Sequence, residues 1–223
     1  YGNNYAGVAA TYPKFRARSG TIETIEKRVN DCIERSLNGK KLPENSTEMQ
    51  AFVAYIKWVG SEVKKGDYPG SAGIPDLPLL NRAADPIRGK KIYRLHCTRC
   101  HGTNGEGLRE GNSLEWKYPP LNNENSYNNG AGLFRLSRFA GYVKANMPNG
   151  ATYENPTLTD EEAWDIAAYI NSLPRPRKEF PTDWPDISTK PFDHPAGPYS
   201  DNFSEQQHKF GPFTAIIESR KKK

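Results

Sequence analysis

The sequence predicts a mainly α protein: two helical units joined by a proline- and glycine-rich linker, with a long irregular C-terminal tail wrapping them. Three observations carry this. Apolar residues recur at helical spacing in two separate blocks, residues 1–66 and 85–173. Between them, 67–84 holds Pro69, Pro75 and Pro78 with Gly70 and Gly73, a run of breakers. From 174 to 223 no period is sustained and prolines recur, so this segment either wraps the two units or stays disordered.

The elements follow in order. Residues 1–20 read as irregular. Residues 21–37 form an amphipathic helix on Ile22, Ile25, Val29, Ile33 and Leu37, stopped by Gly39. A second helix runs over 46–65, with Met49, Phe52, Val53, Ile56 and Val59 on its stripe and Gly66 at its end. The second unit opens at Asp85-Pro86, an N-cap followed by proline at the first helical position. A polar stretch, 108–130, precedes a helix over 133–146. Thr159-Asp160-Glu161-Glu162 is a capping box that opens a helix through Trp164, Ile166 and Ile170, halted by Pro174. Aromatic side chains in the tail, among them Phe180, Trp184, Phe210 and Phe213, favour wrapping over disorder.

Composition narrows the function. Only 35% of the 223 residues are hydrophobic and mean hydropathy is −0.82, low for a core built from side chains alone. The net charge of +5 suits an anionic substrate or an acidic redox partner. Basic residues are scattered except at Arg220-Lys221-Lys222-Lys223, which reads as a solvated end and not as a nucleic-acid patch. No apolar run reaches the length of a membrane span.

Five residues carry the chemistry: Cys97-Thr98-Arg99-Cys100-His101 is the C-x-x-C-H signature of covalent c-type haem attachment. Both thiols form thioethers to one porphyrin edge and the imidazole ligates the iron. A zinc half-site would need a second ligand pair, and the one other cysteine is Cys32. The apolar ring supplies core that the side chains lack, and Gly102, Gly105 and Gly107 allow a tight loop around it. Met147, before Pro148 and 46 residues beyond His101, is the candidate for the opposite axial position. Its soft thioether would favour reduced iron and raise the potential. Haem motif, Met-Pro loop and final amphipathic helix, in that order, resemble a class I cytochrome c domain. In bacteria such haem is attached outside the cytoplasmic membrane, so the sequence predicts an exported, periplasmic protein whose leader is not part of this sequence.

Cys32 has two readings. On a helical wheel Arg28 and Arg35 fall at about −40° and −60° from it, with Ile25 and Val29 on its other side. Guanidinium groups there would stabilise a thiolate and gather an anion. Alternatively Cys32 is a small buried hydrophobe, and the arginines pair with Glu23, Glu26, Asp31 or Glu34 along the chain.

Three further segments carry a resemblance: Tyr12-Pro13-Lys14-Phe15-Arg16-Ala17-Arg18-Ser19-Gly20 leading into Arg28 to Gly39; Glu48-Met49-Gln50-Ala51 with Tyr55-Ile56-Lys57-Trp58; and Gly197-Pro198-Tyr199 with Gln207 to Phe213. With the haem unit they resemble the dihaem thiosulfate dehydrogenases, which also act as tetrathionate reductases and are related to the A subunit of the sulfur-oxidising multienzyme system. The resemblance implies two class I cytochrome c-like domains. It implies a second haem c in the N-terminal one, with Cys32 as axial ligand, Arg28 as the active-site arginine and Arg35 on the substrate side. It implies thiosulfate and tetrathionate as substrates, and a soluble or membrane-bound cytochrome as electron partner. The family's first C-x-x-C-H lies upstream of Tyr12, where this sequence has none. Either the sequence starts after that motif or the catalytic haem is lost. In the second case a non-enzymatic electron carrier remains; a haem subunit of a sulfur-oxidising complex is a third reading.

Overall fold

The computed structural model describes residues 5–70 and 72–222. Residues 1–4 of the stretch expected to be irregular, and Lys223 of the basic end, lie outside it.

The N-terminal unit begins with α1 (Ala6–Thr11) and a two-stranded antiparallel hairpin, β1 (Lys14–Arg16) and β2 (Thr21–Glu23). The helix expected over 21–37 is therefore shorter. Thr21 and Ile22 are β-branched and join the hairpin, leaving Ile22 71% exposed instead of on a buried stripe. Thr24 is the true N-cap, accepting from the Lys27 amide at 3.2 Å, and α2 runs Ile25–Asp31. A π-helical turn, Cys32–Ser36, follows; the Leu37 amide reaches back to Cys32 O at 3.1 Å. Next, α3 (Thr47–Val59) is capped by Ser46 and stops at Gly60, earlier than expected. A Cβ at Gly60 would lie 2.7 Å from Ala6 O, so α1 packs directly on this turn. Val29, Met49, Val53 and Ile56 form the small core.

The second unit holds α4 (Pro86–His96), α5 (Thr98–His101), α6 (Leu136–Asn146) and α7 (Asp160–Ser172). Helix α7 opens with the expected capping box. Its neighbours α4 and α6 bury it on almost every side, Trp164, Ile166 and Ala167 among the residues enclosed. The α4–α7 crossing turns on Gly89, where a Cβ would stand 1.9 Å from Asp165 O. Asp165 itself is fully buried and held by Arg82 at 2.8 Å and the Asp85 amide at 2.8 Å. The segment 67–84 runs over this unit: Pro78 O accepts from the Trp164 indole at 3.0 Å, and Arg138 pairs with Asp76 at 3.0 Å.

The tail wraps, but it is less irregular than its sequence suggests. Two short helices, α8 (Glu205–Phe210) and α9 (Thr214–Lys221), bring Phe210, Phe213 and Ile216 into the main core. At six and eight residues they are too short to show a period. Fully buried His208 anchors them, hydrogen-bonded to Phe192 O and Asp201 and stacked on Tyr199.

Candidate functional site

In the second unit, α4 runs directly into Cys97, whose amide bonds Tyr93 O at 2.8 Å. The short helix α5 then presents Cys100 and His101. His101 is buried, and its Nδ1 lies 2.9 Å from Pro119 O. A carbonyl can only accept, so Nδ1 carries the proton and Nε2 keeps a free lone pair, the tautomer an iron-ligating histidine needs. Burial pushes the imidazole's pKa down, partly opposed by that hydrogen bond, and keeps the ring neutral. Gly107 makes the surrounding loop possible: its φ is +76°, and a Cβ would meet Pro120 N at 2.6 Å and Tyr118 O at 2.8 Å. The Leu121 amide then closes the loop on Gly105 O at 2.7 Å. Cys97 and Met147 border the same core cluster, Met147 as the extended C-cap of α6. Two unpaired thiols, an oriented imidazole and a thioether on one core are a donor set that fits covalent haem. Lys144, near Met147, is tied to Leu158 O at 2.7 Å and Asp160 at 2.8 Å.

The second group lies in the N-terminal unit. Cys32 begins the π turn, half-buried, and Arg28 Nη1 donates to its Sγ at 2.9 Å. Burial works against the Arg28 charge, but Cys32, Tyr12 and Asp31 outweigh it and raise the arginine's pKa. Tyr12, 6% exposed, has its hydroxyl 3.3 Å from Arg16. Burial raises the phenol's pKa, and Arg16 and Arg28 pull the other way. Arg35 does not join Arg28 at the thiol. It is buried, grips Asp183 bidentately at 2.7 and 2.8 Å, and stacks over Phe180 at 3.8 Å.

Two family models match. The SoxA/TsdA cytochrome c domain covers residues 1–64, and cytochrome c covers residues 87–174. Thiosulfate dehydrogenase of Allochromatium vinosum is 38% identical over 80% of this chain and 64% of its own length. That of Psychrobacter arcticus is 37% identical over 83% of this chain and 55% of its own. The solved thiosulfate dehydrogenase TsdBA of Marichromatium purpuratum superposes with a TM-score of 0.71 at 33% identity, covering 79% of this chain and 38% of that one. The chain belongs to the thiosulfate dehydrogenase family of c-type cytochromes.

The chain spans 52–64% of the length of the curated family members it matches. Both units of this family member are cytochrome c domains, and its haem is covalently bound haem c. Among the described residues no helix is long and apolar enough to cross a membrane.

Sequence reasoning assigned no role at the Cys32 site to Arg16, Arg18, Phe180 or Asp183. Arg18 sits close enough to Arg35 that burial, then that neighbouring charge, pull its pKa down to about 10. The signal for the first two was present: Lys14-Phe15-Arg16-Ala17-Arg18 alternates cations at period two, a strand pattern. No local signal points to Phe180 or Asp183, which arrive from the tail.

Proposed function

We propose that this protein is a periplasmic oxidoreductase that couples two thiosulfates to tetrathionate and releases two electrons, with Cys32 as the sulfur that reacts. The observation that carries this reading is the Arg28 guanidinium donating to Cys32 Sγ at 2.9 Å, in the unit that matches the SoxA/TsdA cytochrome c domain. That guanidinium is a charge-assisted donor aimed directly at the sulfur.

The sulfur balance is simple. The Cys32 thiolate and one thiosulfate form a sulfur–sulfur bond, giving a protein-bound S-thiosulfonate and two electrons. The sulfane sulfur of a second thiosulfate attacks that bond, tetrathionate leaves, and the thiolate is restored. Arg28 has N–H groups beyond the one on Sγ and would clamp the sulfonate oxygens. Arg35, fixed by Asp183 and Phe180, sets the position of the turn that carries Cys32.

Haem, when bound, would supply one-electron acceptors: Cys97, Cys100, His101 and Met147 would hold one, and Cys32 would help hold a second in the N-terminal unit. A soluble or membrane-bound cytochrome takes the electrons onward.

The test is Cys32→Ala in the haem-loaded protein. Thiosulfate-dependent haem reduction should fall to background while dithionite still reduces the His101 haem. Thiosulfate turnover retained in that variant would remove Cys32 from the mechanism and leave a plain electron carrier.

A further inference from the structure

The outer face of α4 leads straight to the haem-attachment cysteines and carries an unusual surface. Ile87, Lys91, Arg94 and Leu95 follow the i, i+4, i+7, i+8 spacing of one helical stripe, with Lys90 beside them and Arg99 on the next turn. All six are exposed, Ile87 at 72% and Leu95 at 78%. Solvated helix faces place polar residues at such positions; here two large aliphatic side chains stand among four cations. Among the described residues, no carboxylate lies within ion-pair distance of Lys90, Lys91, Arg94 or Arg99. The acids beside α4 are already committed. Asp165 and Glu161 pair with Arg82 and Arg88, Asp85 caps α4, and Glu162 closes the α7 capping box. The helix therefore offers uncompensated positive charge around an apolar centre, next to Cys97.

We infer that this face is the docking surface for an acidic redox protein, which receives electrons from the haem attached at Cys97 and Cys100. A partner with a carboxylate ring around a small apolar contact matches it in sign and shape. Long-range attraction steers the encounter, and Leu95 and Ile87 supply the desolvated contact. The chemistry is a single outer-sphere transfer: one ferrous iron loses one electron, one oxidised centre in the partner gains it, and no bond is made. The inference rests on the reading of that haem as the electron exit and not on the sulfur chemistry at Cys32.

The test uses the haem-loaded chain and the acidic copper protein plastocyanin as probe, with affinity read from an NMR titration that needs no thiosulfate turnover. Affinity should fall at least about tenfold between roughly 10 and 200 mM ionic strength, as steering by a charged patch requires. The K90E/K91E/R94E variant should bind at least about tenfold more weakly at low salt. Leu95→Ser should weaken binding about threefold without changing the salt dependence. Reversal of three exposed lysines in the N-terminal unit, K40E/K57E/K64E, changes net charge equally and should leave affinity within about twofold. An α4 variant that binds plastocyanin as the native protein does, or an equal loss in the N-terminal variant, would overturn the inference.

Discussion

Replacing Arg35 with methionine separates a positioning role from direct substrate contact. The methionine fills similar volume but removes the two hydrogen bonds to Asp183, at 2.7 and 2.8 Å, and the stacking on Phe180 at 3.8 Å. Asp31 keeps Lys27 at 2.5 Å, so Asp183 is the group left without a partner. Breaking a fully buried ion pair from one side destabilises by about 3–5 kcal/mol. The Asp183 side chain is 17% exposed, so water reaches it in part and the lower end, about 3 kcal/mol, applies. For a chain of this size that lowers the melting temperature by roughly 6–12 °C. The assay is a double-mutant cycle with Asp183→Asn in urea, followed by thiosulfate kinetics on all four proteins. Coupling of about 2 kcal/mol or more is expected, with kcat/KM reduced comparably in both single variants. Coupling below about 0.5 kcal/mol would refute the structural account. Abolished turnover in Arg35→Met with Asp183→Asn fully active would place Arg35 on the substrate itself.

Gly89→Ala forces a methyl to within 1.9 Å of Asp165 O in the buried α4–α7 crossing. Neither backbone can give way locally, so a loss of about 3 kcal/mol or more is expected by urea denaturation, and a melt within 1 °C or so of the native protein would contradict it. His194 titrates from the ordinary 6.5 down to about 4 because burial, and then Lys190, Arg18 and Arg135, oppose its charge. A depressed histidine leaves the unfolded chain binding the proton first, so stability is full above pH 6.5 and declines as pH falls toward 4, by up to about 3 kcal/mol. His194→Gln should flatten that slope. Met147→Ala should lower the reduction potential of the His101 haem, measured by redox titration, because the thioether favours reduced iron; an unchanged potential would remove Met147 as a ligand.

Helices α4 and α7 were legible because their signals are local. Asp85-Pro86 and the Thr159–Glu162 box each cap a helix within four residues, and tertiary packing has only to agree. The pairing at Cys32 was half legible. A wheel with about 100° per residue puts Arg28 and Arg35 on the same side of the thiol. It assumes a regular helix, whereas the Leu37 amide bonds Cys32 O across five residues, and the widened turn sends Arg35 elsewhere. Arg35's destination could not be read at all, since Asp183 is 148 positions away. The hairpin was missed for a related reason. Ile22 completes a helical stripe on paper, but Thr24 is the stronger start signal, and everything before it was free to pair with Lys14–Arg16.

The Cys32 turn is held from outside its own unit. Asn128, from the haem-bearing unit, donates to Glu34 O at 2.8 Å, and its amide reaches Arg35 O at 3.0 Å. Lys178, from the tail, reaches Asn38 O at 3.2 Å and Gly39 O at 3.0 Å. These contacts satisfy carbonyls that the end of a helix leaves without donors, and the Arg35–Asp183 pair locks the same turn from its side chain. The position of Cys32 is thus set by the second unit and the tail together. π turns are rare interruptions of an α-helix, and donors from outside the unit hold this one. Loosening the tail should therefore act on the sulfur chemistry before it acts on the fold. Asn128→Ala, which removes one donor far along the chain from Cys32, should weaken thiosulfate turnover while leaving the His101 haem spectrum unchanged.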